Sequence, residues 1–439
     1  MIARNSRRAA DARRSARAGA AHRRGFTLIE LMVAMTGGLF FTIFVFMFTR
    51  DVSRFFVRES RISDTTLASI TGFQRLRADI ARTGFLASPN FGKDPGRCPR
   101  SVDGTAASGL SGAGWAANSA LREMGLLAIT VGGSNNGNEQ TYNGLAADEL
   151  TLYGNYSSSE QFPIRNVSAA AGGFTISLEP ASGPMVRLGY VAATSPTSLL
   201  SSVFPTGHAL RLQTPEGEEQ YGIITGVTVG AQPTVTLGVA LPLAWKSSGI
   251  CGIRGFCSGC QVNTVNIVRY RLEDLSNATD YPQFAFLYAG SRPPSDTARR
   301  ELIRIPVLPT GVEQTANVEL VSEYAVDLKF GLSVVTNLAT RALTTYPENS
   351  TDLVKYASDP LTSPASDVNN GPHLIRGVHA RLAVRSVEPD RQGAIGAGNV
   401  GAGLYRVRLT DGLDPNQFAR VRTLQALIAT RNTRNSLWN

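Results

Sequence analysis

The stretch from Arg23 to Met35, RRGFTLIELMVAM, puts two arginines and a glycine in front of an almost unbroken apolar run that carries one acid, Glu30. From Phe26 to Phe48, 23 residues, Glu30 is the only charge. As a helix at 1.5 Å per residue the run is about 34 Å long, enough to cross the hydrocarbon core of a membrane. Arg50 and Asp51 end it. A carboxylate inside a bilayer costs about 2.5 kcal/mol or more unless it is paired or near the surface, so an acid in this place is a functional residue by default.

Working outward, the charge of the chain sorts itself around this run. The 439 residues exceed what one compact core needs, and the formal net charge is +9. Residues 1–25 hold eight arginines against Asp11, a net +7, which leaves only +2 for Phe26 to Asn439. The basic character therefore belongs to the leader, and the +2 of the remainder argues against a strongly basic surface of the kind nucleic-acid binding uses, a local patch aside. The leader is rich in Arg and Ala without apolar periodicity, a flexible cytoplasmic tail. With arginines before the span and a nearly neutral chain after it, the positive-inside rule predicts a cytoplasmic N-terminus and an exported remainder, a type II orientation.

Three readings of the opening compete. A cleavable secretory signal would end in small residues of the A-x-A kind, whereas this run ends FMFTRDVS. A twin-arginine export signal fits RRGFTL but lacks the same cleavage site. A plain membrane anchor leaves Glu30 without a reason.

RRGFTLIE resembles the class III signal of type IV pilins and type II secretion pseudopilins: a basic leader, a glycine, a phenylalanine, and glutamate as fifth residue after the cut. The resemblance implies cleavage between Gly25 and Phe26 by a prepilin peptidase on the cytoplasmic side and N-methylation of Phe26, the apolar run being kept. It implies that Glu30 acts in assembly, pairing with the N-terminal amine of a neighbouring subunit, so that docking in register relieves a buried charge. The implied partners are the peptidase, other minor and major pilins, and the inner-membrane pilus assembly machinery. The location is the inner membrane first and the pilus or cell surface afterwards.

Beyond the span, Val52, Phe55, Phe56, Ile62, Leu67, Ile70, Phe73, Leu76 and Ile80 recur mostly every three to five residues. One helix is predicted from about Phe26 to Arg82, ended near Gly84, its second half lying on a globular head. Gly37-Gly38 is either a weak point or a close-packing site for another membrane helix. Residues 85–146 read as loop with a short helix or strand, and GLSGAG from Gly109 lacks the context of a nucleotide loop. From 147 onward short runs alternate with turn residues: ELTLYG, GFTISLEP, ALRLQT, YGIITGVTV, TVTLGV, NIVRYRLED, FAFLYAG, AVDLKFGLSV, GVHARLAVRSV and LYRVRLT. The fold class is α+β: a helical spine on a large antiparallel head. The predicted divisions are leader 1–25, membrane helix 26–48, amphipathic continuation 49–84, loop-rich segment 85–146 and β-rich head 147–439.

Several runs also resemble the PilW-type branch of minor pilins: GFQRLRADIARTGF its helix ending, ADELTLYG its first strand, VELVSEYAVDLKFGLSV its late helix-strand unit, LIRGVHARLAVRS its penultimate strand and VRTLQALIATRN its C-terminal segment. The middle, about 154–249, matches none of its patterns and reads as insertions.

Four cysteines remain, Cys98 and the cluster Cys251, Cys257 and Cys260. An exported head matures in an oxidising compartment, so two disulfides are expected, with Cys98 tied to the cluster and the other two paired locally. A four-thiolate zinc site is the alternative, although only one CxxC is present. No HExxH, GxSxG, kinase or Walker signature occurs, and His379 alternates with apolar neighbours on a strand. The acid pairs Glu218-Glu219 and Glu273-Asp274 read as solvated. No cofactor, metal or catalytic residue is assigned. A minor subunit is expected, with a J-like secretion pseudopilin and a membrane-anchored periplasmic enzyme or binding protein as alternatives.

Overall fold

The structure is a computed structural model. It describes residues 26–98, 113–136, 140–141, 143–170, 172–192, 194–246, 251–288, 299–357, 370–387, 391–392, 403–407 and 417–433. The leader and most of GLSGAG lie outside the described residues. Helix α1 runs Leu28–Arg82, 55 residues. Gly37 and Gly38 do not interrupt it. Around them Thr36 Oγ1 donates to Met32 O at 3.0 Å and Thr42 Oγ1 to Gly38 O at 2.8 Å, so hydroxyls add bonds to the helical carbonyls. The helix stops at Gly84, whose φ of +70° is the left-handed conformation glycine adopts freely and whose N–H donates to Tyr153 O at 2.7 Å.

The chain forms two compact units, one ending at Ser60 and one spanning Arg61–Asn439. In the first, the apolar side chains described between Phe26 and Phe56 stand almost wholly in the open. In the second, the last turns of α1 bury Phe73, Leu76 and Ile80 in the main core. Leu67 and Ile70 remain exposed, so the packed face is shorter than periodicity predicts. Close approach sets where packing tightens. A Cβ on Gly72 would sit 2.6 Å from Val321 O and 2.9 Å from Ser322 Cβ.

Among the described residues, every pairing between the strands is antiparallel. The first sheet holds β1 (Leu127–Thr130), β2 (Glu149–Gly154), β3 (Phe162–Ala170), β4 (Gly173–Leu178), β5 (Ala209–Gln213), β6 (Glu219–Thr228), β7 (Thr234–Leu237), β8 (Gln261–Glu273), β9 (Glu301–Val307) and β10 (Glu319–Ser322). Its order is β1-β2-β8-β3-β4-β7-β6-β5, with β9 on β8 and β10 on β9. The second holds β11 (Ala325–Asn337), β12 (Ala342–Tyr346), β13 (Ile375–Arg385), β14 (Arg391–Gln392), β15 (Leu404–Val407) and β16 (Gln417–Ala429), in the order β12-β11-β13-β16-β14 with β15 on β16. The architecture is α+β.

The strand β8 organises the first sheet. Its first residues, Gln261–Val265, pair with β5 and β3, and Asn266–Glu273 pair with β2 and β9. The central region read as insertions is thus a β-rich lobe grown from one end of β8. It has its own core, in which Phe162, Ile176, Leu178, Leu200, Leu210, Leu212 and Val235 are buried. The loop-rich segment contributes α2 (Ala113–Ala117), α3 (Ser119–Arg122) and β1.

Several expectations are corrected. FAFLYAG is not a strand: Pro282–Phe284 form a 3₁₀ turn leading into a helix, Ala285–Tyr288. Pro282 fixes φ and cannot donate to a ladder, and Tyr281, Phe284 and Leu287 bury together at helical spacing. VELVSEYAVDLKFGLSV gives two strands, not a helix and a strand, because the chain turns at Tyr324, whose φ is +56°. Strands β3 and β9 escaped the reading because each contains a proline, Pro163 and Pro306, which disfavours a strand. The acid pairs are not both solvated. Glu219 and Glu273 are buried, the first against Arg211 and the second 2.8 Å from Arg271 Nη2.

Glu219 belongs to the seam that holds the loop following α1. Its backbone N–H donates to Gly96 O and its carbonyl accepts from Cys98 N, both at 2.7 Å. Asp94 lies in the same seam, accepting from Ser88 Oγ and, at 2.7 Å, from Gly96 N–H. Burial, reinforced by the nearby Glu219 charge, pushes the Asp94 carboxyl up to about 6, against the pull of those hydrogen bonds and of Arg211.

Two outcomes are expected. Alanine normally stabilises a helix over glycine by about 1 kcal/mol, but Gly72→Ala meets backbone and should destabilise by about 1–3 kcal/mol, read from thermal melts of the full chain. Since Asp94 is more basic folded than unfolded, its contribution is most favourable below the ordinary value of 3.8 and is lost as pH rises through about 6. Asp94→Asn should flatten the pH dependence of stability across that window and raise stability at neutral pH, by an order-of-magnitude 2–3 kcal/mol. An unchanged pH profile would refute the assignment.

Candidate processing and assembly site

Phe26 is the first described residue and is 88% exposed. Gly25, the other half of the expected processing pair, lies outside the described residues. Thr27 precedes the first helical residue, Leu28, and Glu30 stands three positions further on. The two side chains close on each other. Thr27 N–H donates to Glu30 Oε2 at 2.9 Å, Thr27 Oγ1 donates to the same oxygen at 3.0 Å, and Glu30 N–H donates back to Thr27 Oγ1 at 3.2 Å. This reciprocal pattern is a capping box, in which two N–H groups that have no carbonyl partner at a helix start are satisfied by side chains. The acid in the first turn also faces the positive end of the helix dipole.

The box explains how the chain tolerates a carboxylate at the head of an apolar helix before any other subunit is present. A carboxylate offers about four acceptor positions. Among the described residues both contacts to Glu30 fall on Oε2, and Oε1 takes none. The residue that sequence reasoning missed here is Thr27. The signal was in the sequence: T-x-x-E immediately before an apolar run is the pattern of a capping box.

From Leu28 to Ser53 the helix is long and apolar enough to cross a membrane. Twenty-six residues at 1.5 Å each give about 39 Å, more than the roughly 30 Å of hydrocarbon.

The cysteines pair as Cys98–Cys251, with Cα atoms 6.0 Å apart, and Cys257–Cys260, 5.4 Å apart. With all four sulfurs in disulfides the zinc alternative is not formed. The two bonds differ in what they hold. Cys98–Cys251 joins residues 153 apart in sequence and ties the loop after α1 to the turn beyond β7. The other staples a single turn inside the core of the central lobe. In the chain-entropy account the long closure contributes about 5 kcal/mol and the short one about 2.

The histidines are dispersed. His208 is buried near Asn266, and burial lowers its pKa. His373 lies 3.0 Å from Asn90 Nδ2; burial, with the charges of Lys93 and Arg376, brings it down to about 3 and keeps it neutral. His379 Nε2 meets Ser333 Oγ at 2.9 Å across β11 and β13, and Ser333 Oγ also contacts Thr345 Oγ1 at 3.2 Å. These are cross-strand ties of a sheet face.

Residues 21–36 match the family model described as the prokaryotic N-terminal methylation motif. Neither the curated proteins nor the solved structures gave a match. The matched residues hold Gly25, Phe26, Thr27 and Glu30, and run into the helix described above. The motif implies processing by a prepilin peptidase and handling by pilin assembly machinery. Together with the apolar helix it supports a membrane-anchored protein of the type IV pilin or pseudopilin kind.

Proposed function

We propose that this chain is a minor pilin of the type IV pilus, PilW-type, whose work is assembly and interaction and not catalysis. It is cut between Gly25 and Phe26, methylated at the new amine, stored in the inner membrane with its head outside, and then drawn into a filament. Glu30 is the docking acid. The observation that carries the reading is the geometry at the start of the span. Glu30 is held by Thr27 through one oxygen, and the other is available to a neighbouring subunit's N-terminal amine. Oxidative pairing of the four cysteines supports an exported head. A large head with its own lobe on β8 suits a subunit present in few copies. A J-like pseudopilin of type II secretion shares the N-terminal motif, and the system in which filaments are lost on mutation separates the two.

The test is mass spectrometry of the N-terminus alongside recovery of sheared filaments. A start at methylated Phe26 is expected for wild type, Glu30→Ala and Thr27→Ala. Glu30→Ala should be absent from filaments or abolish them. Thr27→Ala removes the cap hydroxyl, costs about 1 kcal/mol of helix stability and should leave the subunit in filaments at reduced amount. A start at Met1, or a cut after the apolar run, overturns the proposal.

A further inference from the structure

Near the distal end of the 26-residue span, the sequence of α1 changes character while the helix continues. Arg50, Arg54 and Arg58 recur every fourth residue, and at about 100° per residue their positions share an arc of about 80°. Val52, Phe55 and Phe56 occupy a second arc of about 100°, centred about 150° from the first. Phe55 and Phe56 are 62% and 66% exposed, their rings edge to face with centroids 6.2 Å apart. Of the acids of this stretch, Asp51 falls just outside the arginine arc and Glu59 within the second arc, one turn beyond Phe55. All these positions belong to the unit that ends at Ser60.

We infer that Arg50–Glu59 is an interfacial element that binds the headgroups of anionic phospholipids on the exported side of the membrane. The inference rests on the proposed storage of the chain as a membrane-spanning subunit. The span outruns the hydrocarbon by about 9 Å, so its distal end lies among the headgroups. At that depth arginine and phenylalanine are the residue types that suit the interface, since aromatic rings rest at the acyl boundary and a long basic stem can carry its guanidinium to the phosphate layer. Guanidinium is suited to this role because its planar fork matches phosphate oxygens and its long stem keeps the charge in the polar layer. Charge complementarity and continuity with the span select lipid as the occupant. Drawing the subunit into a filament then requires these headgroup contacts to be given up, which makes the element a brake on extraction.

The experiment reconstitutes the full chain in nanodiscs of mixed phosphatidylglycerol and phosphatidylcholine and identifies co-ejected lipids by native mass spectrometry. Wild type should retain phosphatidylglycerol above its bulk fraction, and the triple variant R50Q/R54Q/R58Q should lose about fivefold or more of that enrichment, as expected from about 1 kcal/mol per arginine near a charged surface. A photoreactive phenylalanine analogue at position 56 should cross-link to lipid. Absent enrichment in wild type, undiminished enrichment in the triple variant, or cross-linking to a second chain instead of lipid overturns the inference. Failure of the pilin reading shows separately, as an unprocessed N-terminus in cells, since the nanodisc readout does not depend on the cut.

Discussion

The start of α1 turns on a carboxylate placed in the first turn of a helix long and apolar enough to cross a membrane. Glu30 cannot be neutral decoration there, because an apolar residue would serve an anchor better. Thr27 makes the acid tolerable by closing a capping box through two hydrogen bonds to one carboxylate oxygen. The box uses groups that a helix start leaves unsatisfied in any case, so the acid and the helix end solve each other's problem. It leaves an acceptor that can still be filled.

The β-rich part of the chain answers a different demand, that the last turns of α1 be fixed firmly to the sheets. Leu76 and Ile80 are fully buried, and Asp79 between them carries the polar part of the attachment. Tyr270 Oη donates to Asp79 Oδ2 at 2.8 Å and Arg304 Nε to the same oxygen at 2.7 Å. Arg75, one turn back, forks onto Glu319 through two bonds of 3.0 Å. Burial and the Asp79 charge push the Tyr270 hydroxyl far above the ordinary tyrosine range, so it stays a donor. A buried charge is stable only while every partner stays in place, which makes this cluster a register mark as much as a source of stability. The helix therefore cannot slide along the sheet by one turn without leaving Asp79 unpaired.

The sequence was most legible where one physical signal dominated. The span, the helix end at Gly84, and the strands ELTLYG, AVDLKFGLSV and GVHARLAVRSV carry unbroken apolar periodicity or β-branched runs, and the structure has them at those places. It was least legible where two signals conflicted. Pro163 and Pro306 hid β3 and β9, and the aromatic run at Phe284 imitated a strand until Pro282 is given its weight. The burial of Glu219 was invisible for another reason. Its partner Arg211 stands eight residues earlier on β5, but the seam that closes over it comes from residues 94–98, more than a hundred positions away. At the site, Glu30 stood out because a lone charge in an apolar run is conspicuous. Thr27 did not, since a threonine there is unremarkable until its three-residue spacing to the acid is weighed as a capping box.

Two acids on one helix, Glu30 and Asp79, show how the same chemistry serves opposite ends. Asp79 is 4% exposed and receives a tyrosine and an arginine from strands β8 and β9 of its own chain. Its charge is satisfied when the chain folds, and nothing outside can compete for it. Among the described residues Glu30 receives only its neighbour Thr27, and the side chains around it are exposed. Because Oε2 alone is bonded, and only locally, the fold of the head does not decide where Glu30 ends up. In the proposed docking, that decision falls to a cation reaching Oε1 in a medium of low dielectric, where an ion pair is worth far more than in water. A helix whose last turns are committed by folding and whose first turn is not is the arrangement that the proposed exchange of lipid for protein would use.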